Sequence, residues 1–340
     1  MSTVRPLAVT PGDPAGIGAE ITIKAWQNRK DLPPFFLLDN PARIEAMVKA
    51  SALDVPVYEI EYPEEVDGVF QRASPVLLHE FSRPVVPGEP EPRNAVAVIR
   101  AIDRAVGWAK EGEAGGVVTC PINKKVLYDG AGFAYPGHTE YLAHLGEVER
   151  TVMMLAAPGL RVVPVTIHVP LAEAPGLLST DLIVDTARIT ANALRQDFGI
   201  EAPRLALAGL NPHAGESGAM GREDLDVIVP AVEQLQAEGI NAVGPLPADT
   251  MFHPEARARY DVALTMYHDQ GLIPIKTLDF ARGVNVTLGL PFVRTSPDHG
   301  TAFDIAGKGI ADPRSLMEAI RVAGEMAAAR AVLADGSNPA

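Results

Sequence analysis

The stretch Thr265–Lys276, TMYHDQGLIPIK, puts an imidazole (His268), a carboxylate (Asp269) and an ammonium (Lys276) close together. They follow an apolar run, Val262–Met266, that reads as a buried strand. Tyr267 and Gln270 complete the polar cluster, and Gly271 and Pro274 predict a fixed loop that carries it. Two more histidines stand in the same relation to other predicted strands: His168 after Arg161–Ile167, and His213 after Arg204–Ala208. In a parallel sheet, residues just past the carboxyl ends of the strands gather along one edge, where ligands bind. Three neutral imidazoles with an open position suit Zn²⁺ or a similar borderline divalent ion. The linear spacings, 45 and 55 residues, form no ligand signature, and three unrelated strand-end histidines would look the same. His79, His138, His144, His253 and His299 show that the residue type is not rare here.

A second set is cationic. Lys276, Arg294 and the amide of Asn285 fall late in the chain near predicted strand ends. They are suited to gripping a phosphate and a carboxylate, the guanidinium in planar bidentate fashion. His138 and Thr139, at a helix start after Gly137, offer further donors, although Thr139 would equally serve as a helix cap. A third set is carboxylate. Asp249 and Asp269 are each placed to accept a proton or to orient a histidine, or to be ordinary turn residues.

These residues need a scaffold that brings strand ends together. Arg5–Thr10 reads as a short buried strand, followed by the turn Pro11–Gly18 and a helix from about Ala19 to Arg29. Strand, glycine-rich turn, helix is the layout of an anion-binding loop. The spacing here is neither GxGxxG nor that of a P-loop. Further strands are expected at Phe35–Asp39, Val55–Ile60, Gly115–Cys120, Thr151–Leu155, Arg161–Ile167, Arg204–Ala208, Val262–Met266 and Val284–Leu288. Helices are expected at Pro41–Ala50, Arg93–Lys110, Leu182–Phe198, Arg222–Glu238, Thr301–Ala306 and Pro313–Leu333. Residues 61–93 read as irregular, since their prolines preclude a long helix, Pro164 suggests an edge or a bulge, and Gly244–Met251 reads as a proline-rich loop carrying Asp249. The alternation indicates a doubly wound α/β layout with a mainly parallel sheet.

At 340 residues the chain is long for one ordinary core and suggests two domains or one large α/β unit. Its 29 Lys and Arg against 43 Asp and Glu give a net charge of −14. That acidity argues against nucleic acid or an anionic membrane as a main partner. An anionic substrate must then be held by local cations and backbone donors. The single cysteine, Cys120, excludes an internal disulfide and a cysteine metal cluster, and reads as a small buried residue. MSTVRPLAVT has no long apolar core, so no signal peptide is expected, and no run is long and apolar enough for a membrane span. A cytoplasmic enzyme is the expectation.

The segments TPGDPAGIGAE, PGHTEYLA, GLNPHAGESG, GPLPADT, MYHDQGLIPIK and RGVNVTLGLPFVRTSPDHGTAFDIAG resemble the 4-hydroxythreonine-4-phosphate dehydrogenase family of pyridoxal 5′-phosphate biosynthesis, over residues 5–325 or so. The resemblance implies two α/β/α domains with a cleft between them, like those of isopropylmalate dehydrogenase. Residues 1–130 with 290–340 would form the first and 131–289 the second, which would hold the metal ligands and the dimer interface. It implies a homodimer whose active site is shared. One divalent ion per site (Zn, Mg or Co) would be held by His168, His213 and His268, one of them from the other subunit. Substrate contacts would be His138, Thr139, Lys276, Asn285 and Arg294, and all eight positions are filled as the family has them. HGTAFDIAGKGIADP also resembles the dinucleotide loop of isopropylmalate dehydrogenases, which makes Gly300, Thr301, Ala302 and Asp304 candidates for contact with NAD or NADP. Asp312 stands where those enzymes often have Asn.

The implied reaction oxidises the secondary alcohol of 4-phosphohydroxy-L-threonine and releases CO₂, giving 3-amino-2-oxopropyl phosphate. Asp249 or Asp269 would be the base. GDPAGIG, where some members have GEPAGIG, also occurs in relatives acting on D-threonate or D-erythronate 4-phosphate and in dihydrodiol dehydrogenases of aromatic catabolism. The rival from another class is a metal-dependent phosphohydrolase, which three histidines, two aspartates and a phosphate grip would serve as well. A non-catalytic metabolite-binding protein leaves the proton-transfer candidates without a purpose.

Overall fold

The computed structural model describes residues 5–334. In chain order its strands are β1 (Leu7–Thr10), β2 (Phe35–Asp39), β3 (Val57–Ile60), β4 (Ser74–Leu78), β5 (Gly116–Thr119), β6 (Val152–Ala157), β7 (Leu160–Thr166), β8 (Arg204–Ala208), β9 (Asn241–Leu246), β10 (Val262–Tyr267), β11 (Val284–Leu288) and β12 (Arg294–Pro297). The fold is mixed α/β. The chain forms two compact units, one of the described residues up to Glu149 and from Leu290 onward, the other of Arg150–Gly289. Residues 131–149, with His138 and Thr139, group with the first unit.

In the first unit the strand order is β3-β4-β2-β1-β5-β12, and every pair is parallel. The continuous apolar runs of β1, β2 and β5 are buried along their whole length, as strands covered on both faces must be. The helix Gly18–Gln27 packs with Pro41–Ala50 and Arg314–Ala334, while Ala95–Glu111 packs on β1 and β5 and against Lys124–Ala131. Ala97, Val98, Ala101, Ile102, Ala105 and Val106 recur at helical spacing and form the buried stripe of Ala95–Glu111.

In the second unit the order is β11-β6-β7-β10-β8-β9. β6 runs antiparallel to both β11 and β7, and β7, β10, β8 and β9 are parallel. Ser179 caps the helix Thr180–Phe198 by accepting from Leu182 N–H at 3.1 Å, and Gly199, at φ +63°, ends it in the left-handed conformation. The carboxyl ends of β7, β10 and β8 are therefore neighbours, and these are the ends that carry His168, His268 and His213.

Several sequence expectations are corrected. The loop expected at Tyr267–Lys276 is a helix, His268–Leu278, with Pro274 inside it. Gly271 does not turn the chain. It is buried, and a Cβ there would meet Thr265 Oγ1 at 2.6 Å, so glycine lets the helix lie close on β10. The region 61–93 contains β4 despite Pro75, whose partner Tyr58 lies on β3; the ladder to β2 begins only at Val76. Pro164 lies in an interior strand for a similar reason, since the ladder from β7 to β6 ends at Val162. Residues 301–306 form successive short turns instead of a helix, with Ala302 at φ +48° breaking the helical path. The region 241–251 holds β9 and a short turn, Ala248–Thr250, with Asp249 in it.

Candidate active site

In the second unit the register of β7 with β10 sets the first constellation. Tyr267 lies opposite Thr166, and Thr166 Oγ1–H donates to Met266 C=O at 2.7 Å. The two residues that follow, His168 and His268, are thereby brought together with ring centres 5.9 Å apart and planes at 41°. His268 Nδ1–H donates to Asp269 Oδ1 at 2.7 Å, which leaves Nε2 with its lone pair free to ligate. His168 reaches its position in a left-handed backbone conformation, φ +47°, which non-glycine residues adopt at a cost of about 1–3 kcal/mol. Both rings and Asp269 line a cavity of about 260 Å³, with Thr166, Val169, Leu171, Ala174 and Tyr267.

Gln270 joins this edge to the next strand end. Its Oε1 accepts from Met266 N–H and its Nε2 donates to Gly209 C=O, each at 2.7 Å. The segment after β8 is then held by Asp224, which accepts from the N–H groups of Leu210 and Asn211 at 2.8 and 3.1 Å. Beyond it, His213, Ala214, Gly215, Glu216 and Ser217 all have positive φ, a conformation that the four non-glycine residues adopt only at a cost. The turn carrying Asp249 packs against this segment. His213 and Asp249 therefore share one neighbourhood, and His168, His268 and Asp269 another. Among the described residues no three His, Cys, Asp or Glu side chains converge on one point. Asn285, on β11, has its Oδ1 buried without a partner, and Lys276, near the end of the helix, lies 5.7 Å from the Phe280 ring centre.

The donor set suits a divalent ion. Two imidazoles sharing one ion at about 2.1 Å from nitrogen place their ring centres roughly 5–6 Å apart, which the observed pair satisfies.

In the first unit Arg294 opens β12 and is 3% exposed. It donates through Nε and Nη2 to Thr119 Oγ1, at the end of β5, at 3.2 and 2.7 Å. Burial lowers the guanidinium pKa to about 10, so it remains charged at neutral pH. His138 begins the helix His138–Leu145, and its Nε2 is buried with no partner. Burial first, then the charges of Arg294 and Lys124, hold its pKa well below the ordinary histidine value, so the ring is neutral. Thr139 caps nothing; the N-cap is Gly137, and no side chain caps the helix. Arg294, His138 and Thr139 are thus assembled on one unit, and Lys276 and Asn285 belong to the other.

The dinucleotide candidates lie against the turn after β1. Ile17 N–H donates to Thr301 C=O at 3.1 Å, and a Cβ on Gly16 would come 2.7 Å from that oxygen, so only glycine allows the two segments to meet. Gly300 has open space around it, and Asp304 is exposed. Asp312 pairs with Arg314. Three buried polar atoms on this edge, Thr10 Oγ1, Asp13 Oδ2 and His299 Nε2, have no partner. Such groups cost stability unless something satisfies them, so this edge fits a polar ligand such as a dinucleotide. Burial raises the Asp13 pKa, partly offset by the Ala15 N–H that Oδ1 accepts. Cys120 is fully buried and its thiol is pushed up to about 12, as a packing residue and not a nucleophile.

Sequence reasoning gave no role to Lys124, Gln270 or Asp13. For Lys124 a signal existed. Asn123 precedes an apolar position three residues on, and its Oδ1 accepts from Val126 N–H at 3.1 Å, capping the unexpected helix Lys124–Ala131.

Comparison with known proteins agrees in one direction. Residues 32–323 match the family described as pyridoxal phosphate biosynthetic protein PdxA. The chain is 55% identical to a 4-hydroxythreonine-4-phosphate dehydrogenase of Paracoccus denitrificans, covering 97% of this chain and 100% of that one. It is 57% identical to a protein of the same name from Methylorubrum extorquens, over 95% of each. A crystal structure of 4-hydroxythreonine-4-phosphate dehydrogenase from Klebsiella pneumoniae superposes with a TM-score of 0.85 at 37% identity, over 95% of this chain and 98% of that one.

Proposed function

The chain belongs to the pyridoxal phosphate biosynthetic protein PdxA family, and from that membership we propose that it oxidises 4-phosphohydroxy-L-threonine with NAD or NADP. The alcohol C–H leaves as hydride and the O–H proton goes to a base. The resulting β-keto acid loses its carboxylate as CO₂, the electron pair of the broken C–C bond passes into an enolate, and a proton taken up at the α carbon gives 3-amino-2-oxopropyl phosphate beside the reduced nicotinamide. The observation that carries the reading is full-length identity to enzymes named for this substrate. A cytoplasmic biosynthetic step suits a chain in which, among the described residues, no helix is long and apolar enough to cross a membrane.

His168, His213 and His268 are assigned to one divalent ion (Zn, Mg or Co), with one imidazole supplied by a second copy of the chain. When bound, the ion would acidify the substrate hydroxyl and stabilise negative charge developing on oxygen. NAD or NADP would accept the hydride, held along Gly300, Thr301, Ala302 and Asp304.

The chain's own groups have separable tasks. Asp269 accepts from His268 Nδ1–H and fixes that ring's tautomer and direction. Asp249 is exposed and makes no side-chain hydrogen bond among the described residues, so it is our proton acceptor. Because its turn packs on the segment carrying His213, both would reach the site together. In a homodimer, one copy then provides His168, His268 and Asp269 and its partner provides His213 and Asp249. Arg294, His138 and Thr139 on one unit, and Lys276 and Asn285 on the other, are assigned to the anionic and polar groups of the substrate. The test is a cofactor-coupled assay of the purified protein on 4-phosphohydroxy-L-threonine.

A further inference from the structure

The helix His138–Leu145 starts without a cap. Its N-cap is Gly137, which offers no acceptor, and the N–H groups of His138, Thr139 and Glu140 have no partner among the described residues. Free donors and the helix dipole at such a start favour an anion. An ammonium lies at the same point: a Cβ on Gly137 would come 3.3 Å from Lys124 Cε and 3.4 Å from Lys124 Nζ. The lysine is exposed, and among the described residues it makes no ion pair. Glu140 Oε2 also faces the point, at 3.3 Å from that Cβ position, but does not pair with it.

A second observation points to a ligand independently. His138 Nε2 is buried with no hydrogen-bond partner, one residue from Gly137. Its ring feels the positive charges of both Arg294 and Lys124. Arg294 itself is almost fully buried. Lys124, three helix N–H groups and a neutral ring that also feels the charge of Arg294 thus gather at one helix start. A carboxylate is satisfied by a single bidentate guanidinium. The additional ammonium and the uncapped helix suit an anion of higher charge with three acceptor oxygens.

We propose that Lys124 is a substrate-binding residue, the second cation beside Arg294 in a subsite for the phosphate dianion of the substrate. This rests on the substrate reading above and deepens it. The ammonium acts as a point charge on one phosphate oxygen, and the helix N–H groups take the others.

The test compares wild type with Lys124→Ala and Lys124→Arg, checking that all three melt alike. In Lys124→Ala the KM for 4-phosphohydroxy-L-threonine should rise about tenfold or more, with kcat changed by less than about threefold. The inhibition constant of inorganic phosphate should rise in parallel, and the KM for the nicotinamide cofactor should stay within about twofold. Lys124→Arg should recover most of the loss. A substrate KM within about twofold of wild type overturns the assignment. So does a rise confined to the cofactor KM, which would place the cofactor's pyrophosphate there instead. Should wild type fail to oxidise this substrate, the functional reading falls. The thermal shift induced by inorganic phosphate then decides Lys124 alone: present in wild type and lost in Lys124→Ala supports it, equal in both overturns it.

Discussion

His168 and His268 stand with ring centres 5.9 Å apart because β7 and β10 are paired in register up to Thr166 and Tyr267. Nothing in their separation along the chain requires this, and the pairing is a product of the sheet. Asp269 then sets the direction of one ring through His268 Nδ1.

That arrangement makes Asp269 testable apart from the ligands. Asp269→Asn keeps the shape and removes the charge. Zn²⁺ affinity, read by competition with a chromophoric chelator, should fall about 10–100-fold, while His268→Ala should lose stoichiometric binding. Wild-type affinity in Asp269→Asn would show that the contact does not support a metal ligand. Both side chains are partly exposed, so the melting temperature should move little.

The proposal that the site is divided between two copies predicts a pattern of complementation. His168→Ala and His213→Ala, each inactive alone, should recover activity in mixed dimers. Asp249→Asn should complement His168→Ala but not His213→Ala, because Asp249 and His213 travel together. Recovery of Asp249→Asn with His213→Ala, or no recovery in any confirmed mixed dimer, would contradict the assignment.

Arg294 should matter through its fork as well as its charge. Arg294→Ala is expected to cost about 2–4 kcal/mol in kcat/KM, and Arg294→Lys to recover only part of it. Since Arg294 also holds Thr119, the melting temperature must be read beside the kinetics. Kinetics within error of wild type would remove Arg294 from the site.

His138 predicts a pH effect on stability. Its folded pKa lies below the ordinary value of 6.5, from burial first and then from Arg294 and Lys124. Below that ordinary value the unfolded chain takes up a proton that the folded chain refuses. Stability should therefore fall with pH there, by up to about 1.4 kcal/mol per unit from this group, and be indifferent to it at higher pH. Denaturation at about pH 7.5 and about pH 5.5 should show wild type losing more stability than His138→Gln. Equal losses would mean that His138 titrates normally.

Much of this was legible in the sequence. Apolar runs such as Phe35–Asp39 and Val262–Met266 marked strands because both faces are buried. Proline and glycine misled. Pro75 and Pro164 hid or demoted strands whose ladders leave the proline position unpaired on one side. Gly271 and Pro274 argued for a loop where the chain forms the helix His268–Leu278, which glycine lets lie close on β10. The grouping of His213 with Asp249, and of Lys124 with Gly137, depends on segments that meet in space, which no local pattern carries.

The most direct test of the central claim is the appearance of reduced nicotinamide when the purified protein meets 4-phosphohydroxy-L-threonine and NAD⁺ or NADP⁺, before and after thorough chelation. D-threonate and D-erythronate 4-phosphates run alongside, and free phosphate is measured in the same samples. The account predicts reduced cofactor formed fastest from the L-threonine derivative, abolished by chelation, and restored by Zn²⁺, Co²⁺ or Mg²⁺. Phosphate release without cofactor reduction, or turnover unchanged after the metal is removed, would contradict it.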